Sequence, residues 1–171
     1  MWKKFSTLCA VLMLSGCTGI PETVEPVQEF NAQRYLGTWY EIARLDHSFE
    51  RGLTHVTAEY SQRDDGGIRV LNSGTDMQTG EREQAEGKAY PVDEESVGHL
   101  KVSFFGPFYA SYVIFELDEN YQYAFVSGPD TDFVWLLART PTVSDELKQR
   151  FMARLAESGF DTEALIWVDQ E

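Results

Sequence analysis

From Gly37 onward, polar and apolar residues take turns at a period of two, the pattern of strands with one face buried and the other wet. The first run is Gly37-Thr38-Trp39-Tyr40-Glu41-Ile42-Ala43-Arg44. Gly37 frees the backbone to swing out of the preceding segment, and Trp39 carries one N–H that needs a partner once buried. Further runs occupy residues 54–61, 68–72, 83–90, 100–104, 111–117, 121–127 and 132–139. Turn-forming stretches such as Asp64-Asp65-Gly66-Gly67 and Asp118-Glu119-Asn120 separate them. Antiparallel strands at hairpin spacing predict an all-β fold, either a closed up-and-down barrel or a sandwich.

Beyond residue 139 the period changes. Ser144 is the expected N-cap of a helix, Asp145 and Glu146 suit its first turn, and Leu147, Phe151 and Leu155 repeat at helical spacing. Gly159 stands where such a helix ends, and Leu165-Ile166-Trp167-Val168 reads as a short ninth strand. One apolar stripe on one helix must pack on something, and the outer surface of the sheet is what the chain offers. Upstream of the strands, residues 30–36 can make a single helical turn.

The N-terminal stretch belongs to none of this. Lys3 and Lys4 precede an apolar run from Phe5 to Leu14 that is too short to span a bilayer, and Leu14-Ser15-Gly16-Cys17 closes it. A small-residue site followed by Cys resembles the lipobox of bacterial lipoproteins. That resemblance implies a signal peptide over 1–16, cleavage after Gly16, and a diacylglyceryl group and an N-acyl chain such as palmitate on Cys17. Thr18, rather than Asp, follows the Cys, which fits an outer-membrane destination facing the periplasm. Residues 17–29, with Pro21 and Pro26 among small and acidic residues, read as a lipidated tether, leaving 30–171 as the domain.

Composition narrows the chemistry. The 171 residues carry 28 Asp and Glu against 14 Lys and Arg, a net charge of −14 that repels nucleic acid. Of the 2 cysteines, Cys9 departs with the signal and Cys17 is committed to acylation, so no thiol remains for a disulfide, a metal or catalysis. His47, His55 and His99 share no ligand spacing, and no nucleophile elbow, zinc-protease motif or phosphate loop is present. Neither enzyme chemistry, metal nor cofactor is expected.

Together, Gly37-x-Trp39 after a one-turn helix, the succession of strands, Arg139 at the end of the last run and the following helix resemble the lipocalin family. Tyr35 to Arg44, the stretch Lys101-Val102-Ser103-Phe104-Phe105-Gly106-Pro107-Phe108-Tyr109 and the lipobox resemble the bacterial outer-membrane lipocalins of the apolipoprotein D group. The resemblance implies an eight-stranded antiparallel up-and-down barrel with the helix packed outside, closed at one end by Gly37, Trp39 and Arg139. Its Thr-Asp-Tyr turn falls on Glu119-Asn120-Tyr121, which departs from the pattern at the first two positions. A cation lying over an indole face makes the Arg139–Trp39 pairing physically sensible.

Counting parity from Trp39 and Arg139, the residues expected inside are Val56, Ala58, Tyr60, Val70, Leu100, Val102, Phe104, Tyr112, Ile114, Tyr123, Phe125, Phe133, Trp135 and Leu137. Such a lumen suits a fatty acid or lysophospholipid, bound, stored or carried in the cell envelope; aromatics that plug the barrel would instead make a structural or stress-response envelope protein, and a lipid-modifying enzyme is the third and least supported reading. Phe105, Phe108 and Tyr109 surround Gly106-Pro107 at the expected mouth, where they either handle the ligand at the entrance or make a homodimer contact.

Overall fold

The computed structural model describes residues 18–171; the expected signal peptide and Cys17 lie outside the described residues. A helical turn α1 (Ala32–Tyr35), capped by the Asn31 side chain, leads into β1 (Gly37–Arg44). Then follow β2 (Leu53–Gln62), β3 (Ile68–Asp76), β4 (Arg82–Pro91), β5 (His99–Phe105), β6 (Phe108–Leu117), β7 (Tyr123–Ser127) and β8 (Val134–Ala138). Helix α2 (Asp145–Glu157), a 3-10 turn at Thr162–Ala164 and β9 (Ile166–Trp167) complete the chain. From β1 to β8 each strand pairs antiparallel with the next, and β8 pairs back onto β1, so the sheet closes into an eight-stranded barrel. The two-residue β9 adds to the outer end of β1.

Closure separates two cores. Inside lie Trp39, Tyr60, Val70, Leu100, Ile114, Ala124, Val126 and Leu137. Outside, Ile42, Ala43, Val113, Phe115, Phe125, Val134 and Leu136 meet Phe151 and Leu155 of α2. The helix forms where the sequence expects it: the Ser144 side chain accepts from the Leu147 N–H, and Gly159 takes the left-handed conformation (φ 79°) that terminates it. It covers only the β1, β6, β7 and β8 side. The remaining wall, β2 to β5, is one sheet thick.

The end containing Gly37 is shut. Trp39 is fully buried, donates from Nε1 to the Tyr35 carbonyl at 2.8 Å, and has the Arg139 guanidinium 3.9 Å above its ring. Arg139 donates in turn to the carbonyls of Tyr121, Thr38 and Arg34 at 3.1, 3.1 and 2.9 Å. Gly37 sits at φ 100°, and a Cβ there would approach Arg139 Nη1 to 3.2 Å, so backbone and cation both call for glycine. Although Glu119-Asn120 departs from the family turn, Tyr121 serves it: its hydroxyl accepts from the Asn31 N–H at 3.0 Å and its ring lies 4.1 Å below the Arg34 guanidinium.

Two expectations require correction. Tyr123 and Phe125 point out of the barrel toward α2, with the Phe125 ring 4.9 Å from that of Phe151. Tyr121 adopts a left-handed conformation (φ 58°), and β6 carries a bulge between Ile114 and Glu116, so the alternation does not carry through the turn. Ala124 and Val126 take the inward positions. The segment before residue 30 is also not a free tether. Thr23 Oγ1 donates to the Ser158 carbonyl at 2.6 Å, Val24 is buried against α2, and Val27 exchanges backbone bonds with Ile114 and Gly98.

The closed end yields a direct test. Trp39→Ala removes a buried indole and the face that Arg139 covers, and is expected to lower unfolding free energy by about 3–5 kcal/mol in urea titrations.

Candidate functional site

Strand direction places the 45–52, 77–81, 106–107 and 128–133 connections at the end away from Trp39. Between them opens a cavity of about 870 Å³. Its size follows from side chains: Ala58, Ala85, Ala89 and Ala110 line it where larger residues would fill it. Gly87, between Ala85 and Ala89, leaves space that the Phe104 ring takes, since a Cβ there would meet that ring at 2.9 Å.

Of the residues expected inside, Ala58, Tyr60, Val70, Leu100, Val102, Phe104, Tyr112, Phe133, Trp135 and Leu137 line this cavity. Ile114 faces the inner core without reaching the cavity surface, and Val56 is buried against Gly74, also without lining it. Tyr123 and Phe125 are on the far side of the wall. Phe105, Phe108 and Tyr109 are at the mouth and contribute to its lining, joined there by Phe49 of the β1–β2 loop.

At the deep end three tyrosines form a triad. The Tyr35 and Tyr112 hydroxyls are 2.7 Å apart, and those of Tyr60 and Tyr112 are 2.9 Å apart. Three hydroxyls sharing two hydrogen bonds keep one hydrogen to offer into the cavity. Burial raises the pKa of all three above that of an ordinary tyrosine, so they stay neutral donors.

A second polar group lies outside the set of residues expected to line the lumen. Glu41 and Glu50 both line the cavity, and between them lies Arg44. The Arg44 guanidinium donates to Glu41 Oε1 at 2.8 Å and to the carbonyls of Glu50 and Leu53 at 3.0 and 3.1 Å. Glu50 Oε2 accepts from Trp135 Nε1 at 3.1 Å and lies 2.8 Å from His47 Nε2. Parity held the signal for Glu41, which shares the face of Trp39 two residues away. Arg44 needed knowledge of a bulge between Glu41 and Ala43, which returns its side chain to the inside.

Burial, and then the negative Glu50, push the Glu41 carboxyl well above its ordinary range despite Arg44. Burial acts the same way on Glu50, but His47, Trp135 and Arg44 together outweigh it and hold that group below its ordinary value. Neither Lys nor Arg contributes to the cavity surface among the described residues. His99 lies elsewhere, bonded to Ser111 Oγ at 2.9 Å, and His55 contacts the Glu171 carbonyl at 2.6 Å. No group of His, Cys, Asp and Glu among the described residues is arranged to hold a metal ion.

These shifts predict a pH effect. Glu41 binds a proton more tightly folded than unfolded, so its contribution to stability is full below about 4.5, the ordinary glutamate value, and is lost as pH rises through the elevated folded value. Glu41→Gln keeps an oxygen for Arg44 and cannot ionise. Urea unfolding at acidic and neutral pH should show wild type losing more stability over that interval than the variant; equal losses would refute the assignment.

The model of the lipocalin-like domain matches residues 30–170. An outer membrane lipoprotein Blc of Vibrio cholerae is 61% identical over 168 residues, covering 98% of each chain. Its namesake in Escherichia coli K12 is 55% identical over 150 residues, covering 88% of this chain and 85% of that one. Among solved structures, insecticyanin from the tobacco hornworm Manduca sexta superposes with a TM-score of 0.69 at 23% identity, covering 88% of this chain and 86% of its own. That last likeness concerns the fold, whereas the sequence matches extend over nearly the whole chain: it belongs to the lipocalin family.

Proposed function

We propose that this lipocalin holds a single-chain lipid of the bacterial envelope, a lysophospholipid in preference to a free fatty acid, while anchored through acylated Cys17. Its family membership makes it a binding protein and not an enzyme, and its relatives place it at the outer membrane as a lipid-anchored protein. The observation that carries the ligand reading is the cavity of about 870 Å³, open at one end and walled mainly by apolar side chains. A plugged, purely structural barrel would have no such space. Burying an acyl chain contributes on the order of 0.8 kcal/mol per methylene, a large gross driving force before the cost of association.

The choice between head groups rests on charge. Arg44 is committed to Glu41 and two carbonyls, and among the described residues no Lys or Arg lines the lumen, so a carboxylate drawn inside would meet Glu50 with no cation to balance it and only the spare tyrosine hydrogen to receive. The chain therefore enters first and the head remains at the mouth. A zwitterionic head tolerates the acidic wall better than a bare carboxylate does, and the spare tyrosine hydrogen below serves any neutral oxygen carried along the chain.

Titration of delipidated protein with fluorescent lysophospholipid and fluorescent fatty acid tests this. Saturable binding of both is expected, tighter for the lysophospholipid. Ala85 lines the lumen yet remains solvent-accessible, so Ala85→Trp should obstruct the site without disturbing the core and cost roughly tenfold in affinity, about 1.4 kcal/mol. Binding of neither probe would overturn the reading, and unchanged affinity in the variant would move the ligand out of the lumen.

A further inference from the structure

The barrel wall is not laddered along its whole length. β4 and β5 pair only from Lys88 to Pro91 against Leu100 to Ser103, although β4 begins at Arg82. The cause lies in β5, whose register with β6 shifts between Val102 and Phe105; an irregularity of this kind re-aims a strand, and the hairpin that follows leaves β4 behind. Residues 82–86 are accordingly exposed one after another, whichever face they occupy. Gly87 and Phe104 stand at the end of the join, packed so closely that a Cβ at 87 would meet the ring at 2.9 Å and the Ser103 carbonyl at 2.8 Å.

On the outer side of this join lies a second pocket, of about 200 Å³, and Phe104 alone lines both it and the lumen. Its polar groups are incompletely used. Ser103 is only 4% exposed, and its Oγ has no hydrogen-bond partner among the described residues. The Lys88 ammonium, also on the lining, makes no ion pair among them. Arg63 gives Nε and Nη2 to Asp65 at 3.1 and 3.0 Å, which leaves Nη1 to spare, and Glu86, the one carboxylate of the lining, is taken by Arg69 at 2.7 Å. Arg69 is the cross-strand neighbour of Lys88, so three cations gather here in a chain of net charge −14, whereas no Lys or Arg among the described residues lines the lumen. A buried hydroxyl without a partner, a free ammonium and a spare guanidinium N–H around one hollow suit an oxyanion.

We infer that this outer pocket is a phosphate site, and that the phosphate it takes belongs to a lysophospholipid whose chain lies in the lumen. The inference rests on the lumen reading given above. Ser103 Oγ, Lys88 Nζ and Arg63 Nη1 donate to the phosphate, and the glycerol crosses the wall beside Phe104, where the β4–β5 ladder has ended and no rung of it has to break. Inorganic phosphate offers the same oxygens, but the shared Phe104 wall favours the lipid, whose two ends then lie on either side of one ring. Selection among single-chain lipids follows. A monoacylglycerol brings only hydroxyls to the pocket, and a fatty acid held by its chain brings nothing, so the phosphate is what the outer wall reads.

The test titrates the full-length protein, freed of lipid, with lysophosphatidylcholine and with the monoacylglycerol of the same chain. Lys88→Gln should weaken lysophosphatidylcholine by roughly tenfold, the worth of one contact to a charged group, and leave the monoacylglycerol unchanged, while Lys88→Arg should restore the loss. Ser103→Ala should act in the same direction; it removes a hydroxyl that no described residue pairs, so urea unfolding should show no loss of stability. Inorganic phosphate should compete with lysophosphatidylcholine in the wild type and not in Lys88→Gln. Equal losses for both lipids would place the effect in the lumen, and unchanged affinity for both would place the phosphate elsewhere; either overturns the site. Phosphate that binds at 88 and 103 without displacing lysophosphatidylcholine would make the pocket a free-ion site and overturn the assignment to lipid. Wild type that takes neither lipid would remove the lumen reading itself, and this inference with it.

Discussion

A barrel that holds a guest must be sealed at one end without being filled, and here the seal is one cation lying on one indole. The Arg139 guanidinium sits 3.9 Å over Trp39 and sends its N–H groups to carbonyls of Thr38, Arg34 and Tyr121. Those contacts tie together β1, β8, α1 and the β6–β7 turn, four pieces distant in sequence. A guanidinium is suited to this because it is flat, always charged and able to donate in several directions at once. With the far end fixed in this way, the strands near the mouth need not converge, and their inner positions are free to be small.

Much of this was legible in the sequence because a strand alternates and a helix does not. Counting from Trp39 and Arg139 placed the inner faces of β5 and β8 and of β6 as far as Ile114. It failed on β7 for two reasons. Tyr-Ala-Phe-Val is apolar on both faces, since α2 buries the outer one, so hydrophobicity could not choose between them; and the bulge in β6 with the left-handed Tyr121 removed the count that might have. The segment from Gly19 to Phe30 was illegible for another reason. It lies extended and is held by backbone hydrogen bonds and a few single side chains, which leave no period to detect.

The buried Glu41, Arg44 and Glu50 show where sequence patterning and local chemistry part company. Glu41 and Arg44 lie on β1 and Glu50 in the connection after it, and all three are buried. They persist because each is satisfied by the others or by main-chain carbonyls, the condition under which charge is tolerated in an interior. Packed in this way, they hold the Arg44 guanidinium on Glu41 and two carbonyls and keep it out of the cavity lining.

The one-sided placement of α2 gives the two halves of the barrel different mechanics. Strands β1, β6, β7 and β8 are clamped between an inner and an outer core, whereas β2 to β5 have water at their backs. Opening motions cost least where few apolar contacts must be broken. The thin half is therefore the compliant jaw of a vice whose other jaw is held from both sides, and anything that widens the lumen displaces β2 to β5 before β1, β6, β7 and β8.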